Sequence, residues 1–208
     1  MTPLSKQIIE RFGYDEPILT EDILDMYPSL SRTAIYKKID AAITEESLER
    51  YARGIYYVPR TTPFGKSEPL ASQVVRRRWI SDGENVFGYY SGQTLENKVG
   101  LSSQVPAVLE VTTNKASMRV REVEPFGGWR KVLVRKPRTT VTEENVDALM
   151  LLDLLTSVSP ADLGSTELAN LKKLASKAGR KKTLSLAELY PAKTSKRLIE
   201  SEAYNVFT

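Results

Sequence analysis

An α+β chain is what this sequence predicts, and three observations carry the prediction. Capped helical patterns fill most of the stretch from Thr2 to Thr44, and two short apolar and aromatic runs follow around Arg53 and Gly54. Runs that alternate or stay apolar in the manner of strands recur between about residues 84 and 137. From about residue 142 to residue 204 the spacing is helical again. The division this suggests is one domain over residues 1–62 and a second over 67–208, the second holding a mixed sheet (about 84–137) and then a helical bundle (about 142–204).

Taken in order, Thr2 can cap and Pro3 can open a helix whose Leu4, Ile8 and Phe12 recur every fourth residue, and Gly13 ends it. Thr20 reads as the cap of a second, short helix with Glu21 and Asp22 in its first turn, stopped by Pro28. Ser31 caps a third, with Ile35, Ile39, Ala42 and Ile43 on its inner face. Arg32, Thr33, Tyr36 and Lys37 fall on the outer face of its first turn and a half, whereas Asp40, Glu45 and Glu46 come later. Leu48 to Tyr51 and Ile55 to Val58 read as two short strands, with "ARG" as the hairpin tip between them and Tyr57 in the core. Helix, helix, three-residue turn, helix and hairpin is the order of a winged helix-turn-helix. In that arrangement the start of the third helix enters the major groove, and Arg50 and Arg53 sit near the wing tip.

The stretch "SLSRTAIYKKIDAAITEESLERYARGIYYVP" resembles the amino-terminal winged helix of the AbiEi-like antitoxin and regulator families. Leu48, Arg50, Arg53, Gly54 and Tyr56 match their Leu-x-Arg strand and Arg-Gly-x-Tyr element, and "VFGYYSGQTLENKVGL" and "PAVLEVTTNK" continue the likeness to about residue 140. The resemblance implies a transcriptional repressor that binds operator repeats upstream of its own operon. It also implies an antitoxin to a nucleotidyltransferase-like toxin encoded beside it, as in AbiE-like toxin-antitoxin systems.

Residues 60–67, "RTTPFGKS", read as a linker, with Ser67 capping a helix over about 68–80. The "GKS" in it lacks the first glycine of a phosphate loop, because position 60 is Arg60. Arg76, Arg77 and Arg78 end that helix; they cannot all point one way, and they read either as a solvated end or as a phosphate clamp that supplements the wing. "NVFGYY", "AVLEVTT", "MRVREVE" and "KVLVRKP" are strand candidates, with a bulge or strand end expected near Glu122. Arg119, Arg121 and Arg135, with Arg130, Lys131, Lys136 and Arg138, make the middle of the chain basic and offer further contacts to nucleic acid or a partner. "NVDALMLLDLLTSV" is apolar enough to be buried on more than one side, centrally or across a dimer contact, and Arg180, Lys181 and Lys182 read as a basic loop between later helices.

Composition narrows the chemistry. With 41% hydrophobic and 27% charged residues in 208, the chain can bury a sizeable core. Having neither cysteine nor histidine, it excludes disulfides, thiolate zinc sites, and cysteine- or histidine-dependent catalysis. No Asp-x-Asp pair supports a metal-dependent transferase, so no enzyme activity, metal or cofactor is expected. No run of about 18 apolar residues occurs and "MTPLSKQIIERFGYDEP" has no long apolar core, so the expectation is a cytoplasmic protein with no membrane partner.

Charge is unevenly spread: residues 1–62 hold 8 Lys/Arg and 10 Asp/Glu, residues 63–140 hold 13 and 7, and residues 141–208 hold 9 and 9. Any basic surface in the first segment is therefore local. The expected partner is double-stranded operator DNA, bound by a homodimer on paired half-sites. Arg32, Thr33, Tyr36 and Lys37 would reach bases, and Ser31, Lys38, Arg50 and Arg53 would hold phosphates. The alternatives are an interaction module whose winged helix binds a protein and, ranked below it, a carboxylate- and metal-dependent transferase in the second region.

Overall fold

The computed structural model describes residues 1–126 and 131–207 and has a mixed α+β fold. Its residues fall into two compact units, the first Met1–Arg78 with Pro125 and Phe126, the second Trp79–Glu124 with residues 131–207.

The first unit opens with α1 (Pro3–Phe12), where the Thr2 hydroxyl accepts from the Ser5 N–H at 3.2 Å. A two-residue strand, β1 (Ile18–Leu19), comes next and was not foreseen. It leads directly into α2 (Thr20–Met26), so Thr20 is the first helical residue rather than the cap. The Asp22 carboxylate accepts from the Leu19 N–H at 2.8 Å and does the capping instead. Ser31 caps α3 (Arg32–Thr44) as its sequence suggests, accepting from the Ala34 N–H at 3.2 Å. β2 (Glu49–Ala52) and β3 (Ile55–Tyr57) form the hairpin, and β1 joins them in an antiparallel sheet of order β1-β3-β2.

Gly54 turns that hairpin at φ +75, a conformation side chains other than glycine's disfavour. Its carbonyl accepts from the Thr20 N–H at 3.1 Å, tying the tip to the start of α2. Leu4, Ile8, Ile18, Ile23, Ile35, Ile39 and Leu48 share one core beneath the sheet, and the side chain of Tyr57 is buried as expected.

Where a linker was expected, β4 (Thr61–Thr62) pairs antiparallel with β5 (Gly65–Lys66). Ser67 anchors the base of this hairpin by hydrogen bonding to the Asp15 carboxylate and accepting from the Arg60 N–H, so it caps no helix. α4 (Ala71–Trp79) starts beyond Pro69 and later than its apolar pattern suggested. The boundary between the units falls at Arg78, within α4, whereas the sequence suggested a break over residues 60–67. Within the first unit, Arg77 reaches Asp22 of α2 at 2.7 Å.

The second unit holds β6 (Gly88–Tyr90), α5 (Gly92–Val99), β7 (Leu109–Thr113), β8 (Val120–Val123) and β9 (Val132–Arg135). The sheet order is β6-β7-β9-β8, with β7 and β9 parallel and the outer pairs antiparallel. β8 keeps an unbroken register from Val120 opposite Arg135 to Val123 opposite Val132. No bulge occurs at Glu122; the other expected outcome holds, since the strand ends one residue later at Val123, and both of its faces are open enough to take a charge.

α6 (Val146–Ser157) is central: its Leu149, Leu151, Leu152, Leu154 and Leu155 are at most 1% exposed, among residues of α7 (Ser165–Ala178), α8 (Arg180–Leu186) and α9 (Ala192–Ala203). Arg180, Lys181 and Lys182 form the first turn of α8, not a loop, with Gly179 as the break before it. Among the described residues no helix is long and apolar enough to cross a membrane.

Candidate nucleic-acid interface

The outer stripe of α3 follows from its inner one. Ile35, Ile39 and Ala42 are buried at helical spacing, which leaves Arg32, Thr33, Tyr36 and Lys37 exposed on the opposite side, with Tyr36 retaining 45% of its surface. The helix dipole and unpaired N–H groups of the first turn add positive potential at that end. Among the described residues no carboxylate pairs with Arg32 or Lys37. Arg53 is exposed at the hairpin tip, beside Gly54.

Two of the expected phosphate contacts are already engaged within the unit. Arg50 lies over the Tyr56 ring at 5.7 Å and is 3.9 Å from Asp40. Lys38 turns to the flank, with its ammonium 5.6 Å from the Tyr27 ring. Asp40 stands four residues after Tyr36 and three after Lys37, so it belongs to the same exposed stripe. Sequence reasoning set this acid apart as part of a distant acidic end, although the spacing that places it was readable. Glu46 and Glu49 are held by the Lys66 ammonium at 3.1 and 2.6 Å, which offsets two of the acids near the end of α3.

The three arginines of α4 fan apart as consecutive helical residues must. Arg76 is exposed, Arg78 is half-buried, and Arg77 pairs with Asp22 while stacking 5.7 Å from the Phe12 ring. With α4 included, Met1–Arg78 holds 12 Lys/Arg against 11 Asp/Glu, so the unit loses the acidic balance of its first 62 residues.

Arg119, Arg121 and Arg135 do not form one surface. Arg121 sits opposite Val134 on one face of the sheet, whereas Arg135 belongs to the other face. There Arg135 donates to Glu110 at 2.9 and 3.3 Å. Arg121 stays exposed on β8, Arg119 is exposed in the bend just before it, and Arg130 lies outside the described residues.

A polar cluster in the second unit was missed altogether. The Tyr89 hydroxyl donates to Asp153 at 2.9 Å, Tyr190 donates to the Leu149 carbonyl at 3.3 Å, and the Arg138 guanidinium lies 4.7 Å from the Tyr190 ring. Burial raises the Asp153 carboxyl above its ordinary range, and burial together with that carboxylate raises both phenols. The group fastens β6 to α6 and to the segment before α9. Among the described residues no three acidic side chains gather as a metal site.

No protein-family model matches the chain. No curated protein matches it either. Among solved structures it is similar to one described as the crystal structure of RV2827C protein from Mycobacterium tuberculosis, at 13% identity and a TM-score of 0.48, covering 94% of this chain and 73% of that one.

Proposed function

We propose that the chain is a sequence-specific DNA-binding repressor whose first unit acts as a winged helix-turn-helix. The observation that carries the reading is the contrast on α3: Arg32, Thr33, Tyr36 and Lys37 are presented together at the amino-terminal end, unmatched by acids, while neighbouring cations are engaged. A guanidinium, a hydroxyl, a phenol and an ammonium on one helical stripe suit the donors and acceptors of base edges in a major groove. The sheet order β1-β3-β2 and the tip at Arg53 and Gly54 supply the matching wing. The resemblance to AbiEi-like regulators extends the proposal to an autoregulating antitoxin acting against a nucleotidyltransferase-like toxin.

The test of the first part is binding to DNA from upstream of the protein's own operon across a salt series, comparing the wild type with the combined Arg32→Ala, Tyr36→Ala, Lys37→Ala variant. Specific binding that weakens steeply with salt and disappears in the variant supports the reading. Equal binding by both proteins sinks it. For the antitoxin role, co-expression with the neighbouring gene should rescue growth that the neighbour alone arrests, and failure to rescue removes that part only.

A further inference from the structure

The least matched cluster of positive charge in the second unit lies along α7 and the first turn of α8. Between Lys172 and Lys182 the chain places Lys172, Lys173, Lys177, Arg180, Lys181 and Lys182 with no acid among them. The exposed side of α7 consists of Ser165, Thr166, Ala169, Lys173, Ser176 and Lys177, with Lys172 half-buried at its edge. Its one carboxylate, Glu167, is half-buried beside Gly164 and off that side.

Several other cations of this unit are matched, although the exposed Arg119 and Arg121 have no ion pair among the described residues. Lys131 reaches Glu122 at 2.7 Å, Arg135 reaches Glu110 at 2.9 Å, Lys196 reaches Glu200 at 3.8 Å, and Arg197 donates to the carbonyls of Leu155 and Thr156. Within the cluster only Arg180 is matched, by Glu202 at 2.6 Å. The ammonium groups of the five lysines have no ion pair, hydrogen bond or ring contact among the described residues.

Such crowding works against the fold. Lys173 and Lys177 are one helical turn apart, about 6 Å along the axis, where like charges repel. Gly179, at φ +70, breaks the helix and keeps Lys181 and Lys182 exposed in the next one. Besides the lysines, the exposed residues of α7 are small or hydroxylated (Ser165, Thr166, Ala169 and Ser176), and α8 exposes Ser185, whose hydroxyl donates to the Lys182 carbonyl at 2.8 Å, and Leu184. Small side chains let an anionic backbone approach closely, and hydroxyls can donate to its oxygens. Lysine ammonium groups act as adaptable point charges on phosphate, without the planar geometry a paired carboxylate favours.

We infer that this α7–α8 face is a second, sequence-independent contact to the phosphate backbone of nucleic acid, separate from the base-reading stripe on α3. It rests on the reading of the chain as a DNA-binding protein but uses none of the residues that carry that reading. A nucleic acid is favoured over an acidic protein because, among the described residues, α7 exposes no large apolar side chain and α8 only Leu184, too little to anchor a protein interface.

The experiment compares three full-length proteins on the operator fragment and on a scrambled duplex of equal length: wild type, the α3 triple variant, and a combined Lys173→Gln, Lys177→Gln, Lys181→Gln, Lys182→Gln variant. Circular dichroism and a thermal melt confirm that each is folded. The lysine variant should bind both duplexes more weakly, with the slope of log affinity against log salt reduced by about 2 to 4, and with the operator-to-scrambled ratio unchanged. The α3 variant should lose that ratio and keep the remaining salt slope.

An unchanged slope in the lysine variant overturns the inference while leaving the α3 reading intact. The same variant binding DNA normally but no longer co-purifying with the neighbouring gene's product also overturns it, in favour of an acidic protein partner. Should the α3 variant behave like wild type while the lysine variant loses binding, the base-reading proposal fails and the backbone contact stands.

Discussion

α3 and all of α4 but its last residue lie in the same unit and carry three cations each, yet they use them in opposite ways. On α4 the three are consecutive, so the helix turns them about 100° apart. Arg76 meets solvent while Arg77 is drawn into an ion pair with Asp22 whose two side chains are only 16% and 18% exposed. On α3, Arg32 and Lys37 are five residues apart with Thr33 and Tyr36 between them, and the four side chains share an open stripe. A count of charges would rank α4 the equal of α3. Spacing and the position of the nearest acid separate a structural cation from an available one.

The sharpest way to break this contrast is the α3 triple variant. If α3 reads bases as proposed, losing three such side chains at about 1 kcal/mol or more each should lower specific affinity by about 100-fold or more. Because all three are exposed, the melting temperature should stay close to that of the wild type. A titration with a thermal melt reads both quantities, and a fall of less than threefold in affinity would mean that α3 is not the reading helix.

Next in size is the reciprocal change on α4. Arg77→Ala leaves Asp22 without its cation in a mostly buried setting and should cost about 2 kcal/mol in stability, seen by urea denaturation. Arg76→Ala, at an exposed position, should stay within about 0.5 kcal/mol. Equal losses from the two would mean that Arg77 contributes no more than a surface charge.

Much of this contrast was legible in the sequence, and the exceptions share a cause. Ser31, Ile35 and Ile39 mark α3 by local rules, and Gly54 marks the hairpin tip, because cap, period and turn depend on neighbours in the chain. Asp22 capping α2, Asp15 anchoring the hairpin that leads to Ser67, and Arg77 reaching back to Asp22 are contacts across 3, 52 and 55 positions. The two long-range ones carry no periodic signal, and so the segment over residues 60–67 passed for a linker. Tyr89, Asp153 and Tyr190 are scattered in the same way. In "LLDLL" the aspartate reads as an interruption of an apolar helix, and nothing local shows that a tyrosine 64 residues earlier donates to it.

A smaller effect separates the two arginines of the β2–β3 hairpin. Arg53, exposed at the tip, should contribute about three- to fivefold to affinity for any duplex, as one phosphate contact does. Arg50, already associated with Asp40 and the Tyr56 ring, should contribute less. Salt titrations of Arg53→Ala and Arg50→Ala make the comparison, and a larger loss for Arg50→Ala would show that DNA draws it away from Asp40.

Asp40 is where the smallest change says most. Its side chain is 69% exposed, so its 3.9 Å pair with Arg50 adds little stability, and Asp40→Asn should alter the melt by less than about 0.5 kcal/mol. Its effect on binding depends on what the carboxylate does in the groove. As a mere neighbour of phosphate it repels, and its removal also releases Arg50, so Asp40→Asn should raise affinity for operator and scrambled duplex alike by about two- to threefold. As an acceptor for a cytosine amino group one helical turn beyond Tyr36, it would read a base, and the same substitution would weaken operator binding alone. The ratio of the two affinities decides between these roles, and it does so without disturbing Arg32, Tyr36 or Lys37.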